Sequence, residues 1–568
     1  MMEVDIEKKS KEIQRIISRY TKTSFVCFFA DFIRHHPERS NTGFSNEFKS
    51  KLKDSLYLIM LRLSSKEEGI EELFYSHEND QVLRQVAKIL LEITNFYLSN
   101  KNLESLVEIE DERRKRLVHE LVFKDYFQNG VINYIEQEYN KVIRLFKPYQ
   151  NIIKERLGIQ LDTLLDMCYY SEKLYREKSA KSKSFILDND LKSLMTRLAQ
   201  GQIENESFQE ELSKLPKKTY EAFSNFFDKP HDCLLFFKED YYSVFNKSDV
   251  DIFCELFSIN INDSFDITFY SQSNPLEDSP IIKINENEYL NVYQKQLPTA
   301  LYRLLYKTLT QTSKEREQLN RRKGKVVLEN QTLEVFETFF KKVKNLIFFT
   351  NYYVDDFIEE KDILIIANKK AYIIECKSSR NREPKRDIKM AYQRIKSDFR
   401  ECIQKGYDQC YHVEQKMLND EKIIVRTKNG IHEIITSSID DIFTIVITSE
   451  RFASIQSDLG LLLKRHDIED LYPWSVCIDD LEIFLKTLNI KFNNPVRRFS
   501  EFLEYRELLN ERLITRDELD VCAMYLKNDR NFKENCEAEF VILTDPTLQS
   551  YFDQLYFEKK LRFKLLDL

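Results

Sequence analysis

Segment 360–377, whose sequence is EKDILIIANKKAYIIECK, contains two carboxylates and one lysine whose types and spacing could do chemistry together. They are Asp362, Glu375 and Lys377. Carboxylate and carbonyl oxygens are the ligands that hard cations such as Mg²⁺ prefer, and the backbone carbonyl of Cys376 adds a third oxygen. Such a cation can polarise a phosphate, and a lysine can hold the nucleophile or stabilise the developing negative charge. These residue types suit metal-dependent hydrolysis of a phosphodiester bond.

The segment that carries these residues is predicted to be a β-hairpin. Two short apolar runs, 363–367 and 371–374, are rich in β-branched residues, and the polar residues 368–370 between them are typical of a turn. A two-residue loop at 368–369 puts Asp362 directly opposite Glu375, and opposed residues share one face of a sheet.

The alternation of side chains along a strand completes the predicted arrangement. Lys377 joins Glu375 on its face, while Cys376 points the other way into the core. A loop at 369–370 would pair Asp362 with Lys377 instead and keep the three residues together. A three-residue loop would separate them.

The order of a carboxylate, a short turn and Glu-x-Lys at the end of an apolar strand resembles the PD-(D/E)xK nuclease superfamily. That superfamily includes restriction-type endonucleases and many bacterial defence effectors. Lys361, and not Pro, precedes Asp362, at a position that varies among its members. The resemblance covers roughly residues 314–490. It implies an endonuclease with a restriction-endonuclease-like α/β core, Mg²⁺ as cofactor with Mn²⁺ as a substitute, DNA rather than RNA as substrate, and a role in bacterial defence against foreign DNA.

The resemblance also implies further site residues. Glu329, on a helix predicted from about 321 to 344, would be a helix-borne acid that touches the water at the metal. Gln409, on a long helix predicted over 388–417, is preferred to Gln404 as the glutamine that follows Glu-x-Lys in several subfamilies. Glu360 stands where related nucleases often carry a second acid ligand. The alternative for Glu329 and Gln409 is an ordinary solvated helix residue.

A basic stretch follows the Glu-x-Lys motif. Residues 378–400 contain eight basic and three acidic residues, a local net charge of +5. Such a patch suits phosphate contacts that position a strand without reading its bases, although a solvated helix face is the commoner outcome for a charge run. The predicted nucleic-acid contacts are Arg380, Arg382, Lys385, Arg386 and Lys389.

Composition bounds the class of protein. The chain has 568 residues, 42% of them hydrophobic and 32% charged, a net charge of −8, and ten cysteines without a Cys-x-x-Cys pair. We expect a soluble cytoplasmic protein with reduced thiols and no membrane partner. The predicted fold is multidomain α+β. A mainly helical recognition or assembly region would cover 1–313, with a subdivision near 148–185 as an option, followed by the nuclease core at 314–490 and a helical extension at 491–568.

The helical first half carries no catalytic motif, so we expect it to be a recognition, assembly or gating unit and not a second enzyme. Extended amphipathic helices present surfaces to partner chains, which favours a homo-oligomer and a protein partner or activator. The alternative function is a helical interaction protein in which an inactive nuclease fold survives as a binding module. In this half, segments 233–237 and 265–270 are candidate strands, 281–290 is a predicted hairpin, and 177–184 is a predicted exposed loop.

Overall fold

The computed structural model describes residues 5–39, 43–98, 117–118, 120–124, 126, 133–355, 357–383, 385, 388–545 and 547–566. The chain divides into two compact units. Unit 1 comprises residues 1–96, 130–309 and 566–568, and unit 2 comprises residues 97–129 and 310–565. The division at 309/310 lies four residues before the predicted boundary at 313/314. Segment 97–129 and almost all of the predicted extension 491–568 belong to the same unit as the predicted core.

Unit 1 is mainly helical. Side-chain caps define several helix starts: Asp5 accepts a hydrogen bond from Lys8 N, and Asp188 accepts from Leu191 N. The α-helices of unit 1 are α1 (Ile6–Ile17), α2 (Lys22–Arg39), α3 (Lys51–Leu63), α4 (His77–Leu98), α5 (Ile135–Phe146), α6 (Gln150–Leu157), α7 (Leu161–Ser182), α8 (Asn189–Ala199), α9 (Asn205–Ser213), α10 (Lys217–Asp228), α11 (Lys238–Tyr242), α12 (Lys247–Phe257), α13 (Pro275–Asp278) and α14 (Leu297–Leu309).

A small sheet completes unit 1. Its strands are β1 (Leu235–Phe237), β2 (Ser258–Asn260), β3 (Ile281–Lys283) and β4 (Glu288–Asn291), in the order β1-β4-β3-β2. The hairpin predicted over 281–290 is confirmed as β3 and β4, which pair antiparallel. The strand predicted over 233–237 is shorter than expected, because a 3₁₀ turn occupies Pro230–Leu234.

Two expectations for unit 1 are wrong. Residues 265–270 do not form a strand, because side chains take their backbone donors: Ile267 N donates to Ser64 Oγ, and Thr268 N and Phe269 N both donate to Gln272 Oε1. The loop predicted at 177–184 is mostly helical, since α7 continues to Ser182.

Unit 2 is built on a seven-stranded mixed sheet. The strands are β5 (Ile347–Val354), β6 (Lys361–Ala367), β7 (Lys370–Lys377), β8 (Lys422–Thr427), β9 (Gly430–Ile435), β10 (Asp441–Thr448) and β11 (Trp474–Cys477). Their order is β11-β10-β7-β6-β5-β8-β9, with β10 parallel to both β7 and β11 and the other pairs antiparallel. Two very short strands, β12 (Leu513–Ile514) and β13 (Ile542–Leu543), form a separate parallel pair.

Helices cover the centre of this sheet. The helices are α15 (Ser313–Arg321), α16 (Glu329–Phe340), α17 (Ile388–Phe399), α18 (Lys405–Asn419), α19 (Ser454–Ser457), α20 (Ile478–Lys491), α21 (Pro495–Arg506), α22 (Glu518–Lys527), α23 (Asp529–Glu537) and α24 (Ser550–Phe557). π-Helical segments Arg322–Leu328 and Arg400–Gln404 join α15 to α16 and α17 to α18. The long helix predicted over 388–417 is thus confirmed as one nearly continuous helical run.

The two faces of the central strand β7 pack against different helices. Ala371 and Ile373 share a buried apolar cluster with Cys410 and Val413 of α18. On the opposite face, Tyr372 donates to or accepts from Ser500 Oγ of α21 at 2.9 Å. Burial on both faces explains why β7 is an almost unbroken apolar run.

The structure bears on the membrane only through its helices. No helix within the described ranges is long and apolar enough to cross a bilayer.

Candidate metal centre

A tight hairpin of β6 and β7 sets the register of the candidate site. Ala367 pairs with Lys370, and the loop residues Asn368 and Lys369 have φ angles of 51° and 63°. Two consecutive positive φ angles define a type I′ turn, whose twist matches that of the flanking strands. The two-residue loop predicted from the sequence is therefore confirmed.

This register brings the three predicted residues together at the far end of the hairpin. The last pair of the hairpin joins Ile363 to Ile374, so the next positions outward, Asp362 and Glu375, lie opposite each other. The backbone N–H of Asp362 lies 3.4 Å from Glu375 Oε1. Lys377 Nζ lies 2.7 Å from Glu375 Oε2 and 3.8 Å from Asp362 Oδ2. One ammonium group thus lies between two carboxylates from neighbouring strands.

Cys376 separates the two halves of the Glu-x-Lys motif. Its backbone N–H donates to Asp362 Oδ2 at 2.7 Å, which fixes the orientation of that carboxylate. Its thiol lies 3.6 Å from Thr332 Oγ1 of α16, on the face opposite Glu375, as the strand alternation predicts. Its carbonyl oxygen remains a predicted cation ligand.

Burial perturbs the charges of this cluster. Glu375 is only 1% exposed, and burial raises its pKa to about 7, with a further rise from Asp362 and an opposing effect of Lys377. Burial alone would lower the pKa of Lys377, but the neighbouring Glu375 and Asp362 outweigh it and raise that pKa. The lysine therefore stays charged, whereas Glu375 is easily protonated without a further cation.

Glu329 begins α16 and is close enough to join the cluster electrostatically. Burial raises its pKa to about 8, and the negative charge of Asp362 adds to this effect. Asn351 Nδ2 of β5 lies 3.3 Å from Glu329 Oε2. The charge of Asp362 thus acts on the predicted helix-borne acid, whose contact with water at the cation stays a prediction.

Glu360 has partners other than the predicted cation site. It forms an ion pair with Lys325 of the π-helical segment 322–328 and accepts a hydrogen bond from Tyr353 Oη at 3.1 Å. The hydrogen bond from Lys325 is the main reason why its pKa is lowered. Both carboxylate oxygens are thus engaged, so Glu360 as a metal ligand would require loss of these contacts.

The two glutamines of the long helix differ in their contacts. Gln404 is fixed to the backbone of Lys464, because its Nε2 donates to the carbonyl oxygen at 2.9 Å and its Oε1 accepts from the N–H at 2.8 Å. Gln409 is half-buried on α18, and its side-chain amide has no hydrogen-bond partner in the part of the chain that the structure describes. Its role at the site stays a prediction.

The predicted basic patch is only partly described. Arg382 forms a bidentate ion pair with Asp398, so a phosphate would have to compete with this carboxylate. Arg380 is exposed and Lys385 is half-buried. Arg386 and the side chain of Lys389 lie outside the described residues.

Sequence reasoning missed a polar network next to Glu-x-Lys. Lys323, which is 9% exposed, reaches Glu450 Oε1 at 2.7 Å, and Glu450 Oε2 accepts from Asn381 N at 3.2 Å. A β-carbon on Gly324 would lie 2.8 Å from Ser378 Oγ, so glycine lets the π-helical segment approach the end of β7. The only sequence signal was the basic run around Gly324.

The chemistry of the donors fits a hard divalent cation. No group of three or more Asp, Glu, His or Cys side chains within the described ranges forms a preformed cage. Mg²⁺ does not require one, since it commonly takes one or two carboxylates and completes its shell with water and substrate phosphate. Asp362 and Glu375 supply such a pair, and a cation would stabilise the charged form of Glu375, which burial disfavours.

Comparison with known proteins gives no further support. The chain matches no family model, no curated protein and no solved structure. The resemblance to the PD-(D/E)xK nucleases therefore depends on the motif residues and on the elements around them.

Proposed function

We propose that the chain is a metal-dependent endonuclease that hydrolyses phosphodiester bonds of nucleic acid. The observation that carries this proposal is the convergence of Asp362, Glu375 and Lys377 at one end of a buried hairpin. A buried carboxylate, Glu375, and a half-buried one, Asp362, beside a single lysine are costly unless a cation joins them.

Each residue has a distinct role in the proposed reaction. Mg²⁺ held by Asp362 and Glu375 would polarise the scissile phosphate and favour deprotonation of water. Lys377 donates hydrogen bonds to the negative charge that develops on the phosphate oxygens. Glu329, in its deprotonated form, can take up the proton that the attacking water loses.

The substrate and biological setting extend the same proposal. DNA as substrate and defence against foreign DNA follow from the resemblance to restriction-type nucleases. Cleavage of both strands by a subunit with one site calls for two copies, which supports the expected homo-oligomer. The helical unit 1 would serve in recognition, assembly or gating of the nuclease, because an unrestrained nuclease would attack its host's own DNA.

The first experiment compares supercoiled plasmid, linear DNA and RNA as substrates for the full-length protein. Each is incubated with Mg²⁺, with Mn²⁺, or with a chelator. We expect the plasmid to be nicked or linearised with either cation and to stay intact with the chelator. DNA that is bound but not cut under all conditions would instead support the inactive binding module.

A further inference from the structure

Asn351 has an unusual backbone for a residue inside a strand. It lies within β5 with a φ of 48°, in the left-handed region. Its neighbours Thr350 and Tyr352 both pair with residues of β6, so the left-handed backbone is confined to one residue. Asparagine tolerates this region better than most residues, but the conformation is sparsely populated and occurs preferentially at functional sites.

The position of Asn351 links two parts of the candidate metal centre. The register on either side places it opposite Asp362, which itself lies opposite Glu375. Three adjacent strands, β5, β6 and β7, thus carry one row of polar residues at the end of the β6–β7 hairpin. From this row, the amide of Asn351 reaches Glu329 Oε2 at 3.3 Å.

Glu329 needs such a contact to stay near the site. Within the described residues, Asn351 donates the only hydrogen bond that the Glu329 carboxylate accepts. A glutamate side chain has several rotatable bonds, so without this bond the carboxylate can turn away from Asp362.

We propose that Asn351 is a positioning residue that holds Glu329 at the cation site, and that its left-handed backbone directs the amide towards this carboxylate. The inference rests on the proposed function, because Glu329 is assigned there as the group that takes up a proton. Asn351 itself need not contact the substrate or the cation. Its effect on the reaction passes through Glu329.

Glycine substitution separates this role from a structural one. Asn351→Gly removes the amide, yet glycine adopts a positive φ without strain, which offsets its entropic cost in the unfolded chain, so the fold should persist. We expect kcat for plasmid cleavage to fall by about 10- to 100-fold, with little change in KM for DNA. The matched control is Asn345→Gly, since Asn345 is an exposed turn residue with a φ of 56°. Relief of backbone strain there should leave cleavage unchanged.

A double-mutant cycle with Glu329→Ala tests whether Asn351 acts through Glu329. If it does, adding Asn351→Gly to Glu329→Ala causes no further loss of kcat. The same cycle is measured by calorimetric titration with Mg²⁺ alone, which needs no cleavage. There, too, the double variant should bind Mg²⁺ as Glu329→Ala does.

The outcomes distinguish the inference from the proposed function. Full activity of Asn351→Gly would overturn the inference, and so would losses that add in the double variant. In either case a wild-type protein that cleaves keeps the proposed function intact. A wild-type protein that neither binds Mg²⁺ nor cleaves would overturn both.

Discussion

The close packing of α18 on the central strands makes a quantitative prediction at Gly406. A β-carbon at this position would lie 2.7 Å from Val446 Cγ1, 3.1 Å from Val446 Cγ2 and 3.5 Å from Lys377 Cγ. Rotation of the valine about χ1 cannot open space, because it only exchanges one nearby methyl group for the other. Val446 is fully buried on β10, between two paired strands, so the backbone has little room to yield.

The substitution Gly406→Ala sets two effects of opposite sign against each other. Alanine favours a helix over glycine by about 1 kcal/mol. Overpacking of a buried site costs about 1–3 kcal/mol. We expect the overpacking to dominate, because the contact meets a branched side chain in the core, and the free energy of unfolding should fall by up to ~2 kcal/mol.

The effect of Gly406→Ala on stability should change sign when Val446 is also replaced. Val446→Ala removes both methyl groups that the new β-carbon would meet, so Gly406→Ala in that background should stabilise by about 1 kcal/mol. The assay is equilibrium denaturation of the two single variants, the double variant and the wild type. An equal gain in stability from Gly406→Ala in both backgrounds would refute the close approach of α18 to β10.

Three further predictions concern other parts of the chain. Burial raises the pKa of Asp54 to about 7, so stability should fall as pH rises from 4 through 7, and Asp54→Asn should flatten that slope in denaturation experiments. Glu518→Gln removes the negative charge that pairs with the buried Arg506, and it should lower the free energy of unfolding by about 3–5 kcal/mol. The only tryptophan, which donates to Glu518, reports this unfolding by fluorescence, and an unchanged midpoint would contradict it. Glu329→Ala and Gln409→Ala should slow cleavage without eliminating it; wild-type rates in both would make them ordinary surface residues.

The hairpin that carries the candidate site was accessible from sequence because its information is local. The apolar runs, the polar turn and strand alternation fix which residues share a face, and Asp362, Glu375 and Lys377 follow from that register. The buried strand β10, Asp441–Thr448, is equally accessible from its own sequence, DIFTIVIT, since an apolar β-branched run of that length is typical of a central strand.

The features that sequence reasoning missed depend on distant residues or on backbone conformation. Segment 265–270 has a strand-like composition, but Ser64, about 200 positions away, takes one of its backbone donors. Nothing in the sequence around Asn351 announces a left-handed residue inside β5. The ion pair of Lys325 with Glu360 also joins positions far apart, so a carboxylate that looked available to a cation has another partner.

The most direct test of the central claim is cleavage by variants of the three clustered residues. Plasmid cleavage with Mg²⁺ is measured for Asp362→Ala, Glu375→Ala and Lys377→Ala, with tryptophan fluorescence and denaturation as controls for folding. Because the carboxylates are assigned to the cation and the lysine to charge stabilisation, we predict that each folded variant loses cleavage. Undiminished cation-dependent cutting by the Glu375→Ala variant would contradict the assignment of this cluster as the catalytic centre.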